Sequence, residues 1–160
     1  MDIGQLSREF RVRKLGKDDL EQIYELSCGN TIFYEHHPPF VTRESIFEDM
    51  EALPPGKGDE DKFYIGFFDG DALVALMDLI QGFPKPDTAF IDLFMMHQDY
   101  QGKGVGSKIM GECIGYFRTL GFRAVQLGVD RGNPQSFAFW RKNGFAAISE
   151  ETYIRMELAL

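Results

Sequence analysis

The chain has 160 residues, 44% hydrophobic and 14% aromatic, which is enough apolar material for one ordinary core and too much for a disordered chain. Its 17 Lys and Arg stand against 25 Asp and Glu, and a net charge of −8 argues against a nucleic-acid partner, which calls for a basic face. Two cysteines, Cys28 and Cys113, make no disulfide framework; no apolar run approaches a membrane span and the N-terminal stretch lacks a signal peptide's apolar region, so a cytoplasmic protein without a membrane partner is expected.

In chain order, Phe10 to Lys14 reads as a short strand, and Asp18 opens a helix to about Ser27 with Leu20, Ile23 and Leu26 on one face. Residues 30–41 read as a loop held by Pro38 and Pro39. A helix follows from Thr42 or Arg43 to Leu53, carrying Ile46, Phe47 and Met50. The turn-rich stretch 54–61 is too short for an interdomain linker, so residues 1–160 are expected to form one domain. Lys62 to Phe68 and Ala72 to Ile80 are strands around the hairpin turn Asp69-Gly70-Asp71. After a second turn, Thr88 to His97 is the third strand of a meander. A glycine-rich run and an amphipathic helix come next, with Val105, Ile109, Cys113, Phe117 and Leu120 at helical spacing. Ala124 to Val129 is a strand, Pro134 to Lys142 a helix, and Phe145 to Leu158 one or two strands. The fold class is therefore α/β, with a mixed, largely antiparallel central sheet flanked by helices.

The run Gln101-Gly102-Lys103-Gly104-Val105-Gly106 carries the most information, because it lies where a strand turns into a helix. A helix start presents free N–H groups and the positive end of the helix dipole, and glycines let a phosphate approach that backbone. Two familiar phosphate loops do not fit. The Walker pattern G-x-x-x-x-G-K-[ST] is absent, and the G-x-G-x-x-G spacing fails at its third glycine. Glycine turns without any ligand use the same residues.

Gln101-x-x-Gly104-x-Gly106 resembles the [RQ]-x-x-G-x-[GA] motif of the GNAT superfamily of acyl-CoA-dependent N-acetyltransferases. A second block, Asn133 through Phe145, is similar to that family's N-x-x-A-x-x-x-[YF]-x-x-x-G-F helix and turn. Phe10 to Leu20 resembles the opening strand and helix, and Tyr153 to Leu158 the closing strand. The resemblance implies a GNAT-like domain in which two central strands splay apart and hold acetyl-CoA, the cosubstrate. Met95 and Met96 would then offer backbone to the pantetheine, and Gln101, Gly102, Lys103, Gly104, Val105 and Gly106 would wrap the pyrophosphate. Asn133 and Trp140 would lie along the cofactor. Homodimers are common among such proteins, so a homodimer is a further expectation.

The implied chemistry is direct transfer of an acetyl group to a primary amine in a ternary complex. The amine must lose a proton first, which calls for a base. Asp92 is the first candidate, as the one charge in the apolar stretch Ala89 to Met96. Acids on this strand serve as bases in some GNAT proteins. Glu35 and His36, with His37, form a second candidate group in the loop that borders the family's acceptor site, where histidine suits proton transfer near neutral pH. The family's general acid is often a tyrosine at the position of Trp140. An indole N–H donates a hydrogen bond but does not give up its proton. That departure keeps a non-catalytic acyl-CoA-binding module open as an alternative, and another phosphate ligand in the glycine loop is a third. No metal is expected, because no Cys-x-x-Cys or His-Glu-x-x-His spacing occurs. The acidic balance is compatible with a cationic amine as substrate.

Overall fold

The computed structural model describes residues 1–160, which form seven strands and five α-helices. The order is β1 (Arg11–Lys14), α1 (Leu20–Cys28), α2 (Thr31–His36), α3 (Arg43–Glu51), β2 (Lys62–Asp69), β3 (Ala72–Gln81), β4 (Thr88–Met96), α4 (Val105–Thr119), β5 (Ala124–Asp130), α5 (Pro134–Lys142), β6 (Ala146–Glu150) and β7 (Tyr153–Ala159). A short 3₁₀ turn at Ile3–Leu6 precedes β1 and was not anticipated from the sequence. The strands make one sheet in the order β1-β2-β3-β4-β5-β7-β6. Every neighbouring pair is antiparallel except β4 and β5.

Each face of the sheet buries its own core. One face packs Met77, Ile91, Val125 and Met156 against Ile109, Cys113 and Phe117 of α4 and Trp140 of α5. The other packs Tyr64, Leu76 and Met95 against Ile23 and Leu26 of α1 and Ile46 of α3. With both faces covered, β3 is buried continuously from Leu73 to Ile80, which explains its unbroken apolar run. Helix starts follow their caps. Thr42 Oγ1 accepts from the Ser45 N–H at the head of α3, and Asn133 Oδ1 accepts from the Ser136 N–H at the head of α5.

One expectation is corrected. Residues 30–41 are not simply a loop, because Thr31–His36 closes a short helix, α2. It has no side-chain cap and no buried residue, so neither a capping signature nor an apolar stripe marks it in the sequence.

The sheet is interrupted at its centre. β4 pairs with β5 only from Thr88–Ala124 to Ile91–Leu127. On its other side, Ile91 faces Leu79 and Leu93 faces Asp78, so Asp92 is an extra residue, a β-bulge. A bulge bends its strand and ends regular pairing. From Asp92 to Met96, β4 has no ladder toward β5, and the sheet opens into a gap. No helix is long and apolar enough to cross a membrane.

Candidate functional site

The glycine run lies at the C-terminal end of that gap. Gly102 and Gly104 have φ of +71° and +78°, a left-handed backbone that side-chain-bearing residues rarely adopt. The space around both is open, so backbone conformation rather than crowding selects glycine there. The first helical bond of α4 runs from the Lys108 N–H to the Gly104 carbonyl at 3.1 Å. The N–H groups of Val105, Gly106 and Ser107 precede that bond and have no partner within the helix. A Cβ on Gly106 would stand 3.4 Å from Phe139 and 3.5 Å from Met96, so its small size lets α4 settle against α5 and β4.

Gln101 holds the turn from behind. Its Nε2 donates to the Met96 carbonyl at 3.0 Å and to Asn30 Oδ1 at 3.3 Å. Asn30 Nδ2 also donates to the Met96 carbonyl, at 3.0 Å, and to the Leu26 carbonyl. Asn30 thus ties α1 to the end of β4, a role that sequence reasoning missed. Lys103 Nζ donates to the Asp99 carbonyl at 2.8 Å and stays exposed. The Met95 side chain is buried in the α1–α3 core, whereas Met96 packs toward α4 and α5. Asn133 is buried as the cap of α5. Trp140 is 6% exposed, with ring centroids 4.9 Å from Phe139, 5.1 Å from Phe145 and 6.1 Å from Phe94.

A cleft of about 1210 Å³ opens on the α1–α3 face, between α2, α3, the middle of β4 and the β6–β7 hairpin. Asp92 stands exposed in it, at the bulge. Asp49, Asp78 and Asp130 line it too, as do His37 and Arg155. His37 Nδ1 lies 3.0 Å from Asp130 Oδ1. Glu35 and His36 do not line the cleft, so of the three neighbouring candidates only His37 reaches it.

Asp78 is 2% exposed, and its Oδ2 accepts from Lys62 Nζ at 2.6 Å. Its Oδ1 has no hydrogen-bond partner. Burial pushes this carboxyl up to about 7, against the pull of the Lys62 ammonium. Burial also raises the Asp49 carboxyl, and the Asp92 charge adds to it. Burial pushes the Tyr34 hydroxyl up to about 12. Asp49 and Asp78 were missed as site residues. Asp78 carries the mark that singled out Asp92: it is the only charge between Ala72 and Ile80.

A model of the acetyltransferase (GNAT) family matches residues 19–145. The chain belongs to the GNAT family. An uncharacterised N-acetyltransferase of Methanocaldococcus jannaschii is 24% identical over 148 residues, covering 91% of this chain. The chain spans 64% of that relative's length. Among solved structures, an acetyltransferase from Thermus thermophilus superposes with a TM-score of 0.78 at 20% identity, covering 94% of this chain and 97% of that one. The PaiA N-acetyltransferase of Thermoplasma acidophilum, solved in complex with coenzyme A, gives 0.70 at 21% identity, covering 94% and 99%.

The seven-strand, mostly antiparallel sheet flanked by helices is the GNAT fold shared with those structures. The Trp140 indole sits within the aromatic core and presents no titratable group to the gap.

Proposed function

We propose that this protein is an acyl-CoA-dependent N-acetyltransferase that moves the acetyl group of acetyl-CoA to a primary amine by direct transfer in a ternary complex. The observation that carries this reading is the convergence of two openings on one bulge. The gap in the sheet starts at Asp92 and runs toward the free N–H groups at the head of α4, and Asp92 also lines the acidic cleft.

The backbone at Gly102, Gly104, Val105 and Gly106 holds the pyrophosphate, with the α4 dipole behind it. Gln101 keeps the turn in place through the Met96 carbonyl, and Lys103 adds charge at the rim. The unpaired edge of β4 over Met95 and Met96 receives the pantetheine as a sheet edge receives a strand. Because the Met96 carbonyl is already taken by Asn30 and Gln101, the remaining groups along that edge make these bonds. Asn133 and Trp140 fix α5 beside the gap. Bound acetyl-CoA supplies an activated carbonyl and a thiolate leaving group. Asp92 takes the ammonium's first proton, the nitrogen bonds to the acetyl carbon, the carbon–sulfur bond breaks with its electron pair left on sulfur, and the second N–H proton passes to that thiolate through water, leaving the amide and the free thiol.

Trp140 favours one second reading, a non-catalytic acyl-CoA-binding module, because no phenol stands at that position to protonate the thiolate. Initial rates of thiol release, with acetyl-CoA and an amine both varied, separate the readings. Intersecting double-reciprocal lines are the expected result. Parallel lines would replace the ternary complex with an acetylated enzyme. A protein that coenzyme A stabilises more than ATP or NAD, yet that releases no thiol with any amine, would be the binding module.

A further inference from the structure

Resting on the acetyltransferase reading, we propose that His37, held by Asp130, is the catalytic residue that returns a proton to the departing thiolate, the role left open where Trp140 stands.

His37 Nδ1 lies 3.0 Å from Asp130 Oδ1, and a carboxylate only accepts, so Nδ1 carries the proton and donates it. That bond fixes the tautomer: Nε2 keeps a lone pair and has no partner within the protein. Packing holds the ring as well, with centroids 5.3 Å from Phe33 and 6.3 Å from Tyr153. The backbone brings this imidazole to the gap. α2 begins beside Asn30, which bonds to the Met96 carbonyl at the end of β4, and it ends at His37, which bonds to Asp130 at the end of β5. The helix therefore crosses from one lip of the gap to the other. Asp92 follows the last β4–β5 pair, Ile91–Leu127, on the β4 lip, and Asp130 lies beyond that pair on the β5 lip. His37, Asp92, Gly128 and Asp130 all line the same cleft.

An acyl-CoA laid along β4 from the glycine turn brings its thioester to the closed end of the gap, between Asp92 on one lip and His37 on the other. Asp92 takes the ammonium's first proton, and the nitrogen bonds to the acetyl carbon. His37 Nε2 takes the second N–H proton, and the Asp130 carboxylate stabilises the imidazolium. The carbon–sulfur bond breaks with its electron pair left on sulfur. Nε2 then gives its proton to that sulfur, leaving the amide, the free thiol and a neutral imidazole. His37 is thus the relay on the second proton's path through water. The other charged groups lining the cleft are Glu48 and Asp49 of α3, Asp78 of β3, Asp92 of β4, and Glu151 and Arg155 of the β6–β7 hairpin. Acids outnumber the single guanidinium, and their field favours an imidazolium. Asp49 stands near enough to His37 for that charge to favour its own ionised form. Two phenols also line the cleft. Burial pushes Tyr34 up to about 12 and makes it a weak acid, so the exposed Tyr153 is the competing donor that the test must separate.

The test has two readouts. In the first, the thiol of bound coenzyme A is titrated by the ultraviolet difference absorbance of its thiolate. An imidazole beside the sulfur favours the thiolate, because the imidazolium pairs with it, so the bound thiol is expected to half-ionise at least about one pH unit lower in the wild type than in His37→Ala. Coenzyme A affinity, by calorimetry, is expected to hold within about threefold. In the second, thiol release from acetyl-CoA is followed with whichever amine of a primary-amine panel the wild type uses fastest. His37→Ala is expected to lower kcat by about 10²–10⁴ at an unchanged KM for acetyl-CoA, and added imidazole to recover at least about tenfold of the loss. Asp130→Asn keeps the size but removes the charge behind the imidazolium, and is expected to lower kcat at least about tenfold. Tyr153→Phe is expected to hold kcat within about twofold. A lost kcat in His37→Ala with an unaltered thiol titration would overturn the proposal, because the imidazole would then serve the amine. Normal kcat in His37→Ala, or a loss in Tyr153→Phe as large as that in His37→Ala, would overturn it and leave acetyl transfer standing. If no amine releases thiol but His37→Ala moves the bound thiol's titration, the imidazole's place at the sulfur stands and the acetyltransferase reading falls. Coenzyme A that does not bind, or that binds with neither thiol release nor a moved titration, would overturn both.

Discussion

Asp92 joins an exposed carboxylate to a break in the sheet, where the proposed reaction needs a base. Asp92→Asn keeps the size and the bulge but removes the proposed base. Turnover is expected to fall by about 10²–10⁴ with coenzyme A affinity nearly intact, as measured by steady-state rates and calorimetry. Normal turnover in this variant would move the role to His37 or to water. Trp140 belongs to packing. Trp140→Phe keeps an aromatic ring among Phe94, Phe139 and Phe145, so the rate is expected to change by less than about tenfold. Trp140→Ala leaves a cavity and is expected to cost about 3–5 kcal/mol in chemical denaturation. A thousandfold loss in a folded Trp140→Phe protein would give the indole N–H a chemical role. Asp78 gives a pH signature. Its folded carboxyl lies at about 7, whereas an unfolded aspartate titrates near 3.9. Between these values the folded state holds a proton that the unfolded state has released. The stability from this group is therefore greatest below about pH 4 and declines as the pH rises through 7. The unfolding free energy of the wild type, relative to Asp78→Asn, is expected to fall across that window and to level off above it. A flat difference would show that Lys62 keeps Asp78 ionised throughout.

Among the elements, the turn from β4 into α4 is where coenzyme A binding is proposed. Gly104 sits at φ +78°, where a β-branched residue is strained whatever the space around it. Gly104→Val is expected to distort the turn and weaken coenzyme A binding at least tenfold, about 1.4 kcal/mol, while the melting transition shows a folded protein. Unchanged affinity would remove the glycine turn from the binding site. The strands and long helices were legible in the sequence because their apolar spacing states which face is buried. The glycine turn was legible because glycine at a strand-to-helix junction has a backbone meaning. The bulge was not. Nothing in Phe90-Ile91-Asp92-Leu93 says that Ile91 and Leu93 face adjacent residues on β3, because register is decided by the partner strand. The helix α2 was hidden for a related reason: six residues with no buried member leave no periodic trace.

At the scale of the molecule, the proposed function rests on an open sheet. β4 is held firmly by β3 along its whole length but by β5 over only four residue pairs, so its far half offers a strand edge beside a helix N-terminus. The acidic cleft on the other side was only partly legible. Its carboxylates include ones from α3, β3, β4 and β5, which only tertiary packing brings together, and Asp49 looks in sequence like any solvated helix acid. The net charge of −8 was compatible with a cationic substrate but carried no information on where one would bind. On this reading acyl-CoA enters the gap between β4 and β5. Amide hydrogen exchange with and without coenzyme A tests it most directly. Protection is expected in the segment from Asp92 to Met96 and at the head of α4 from Gly102 to Ser107, with little change along β1 or β6. Exchange in those two segments that coenzyme A leaves unaltered at saturation, or protection gathered elsewhere, would contradict it.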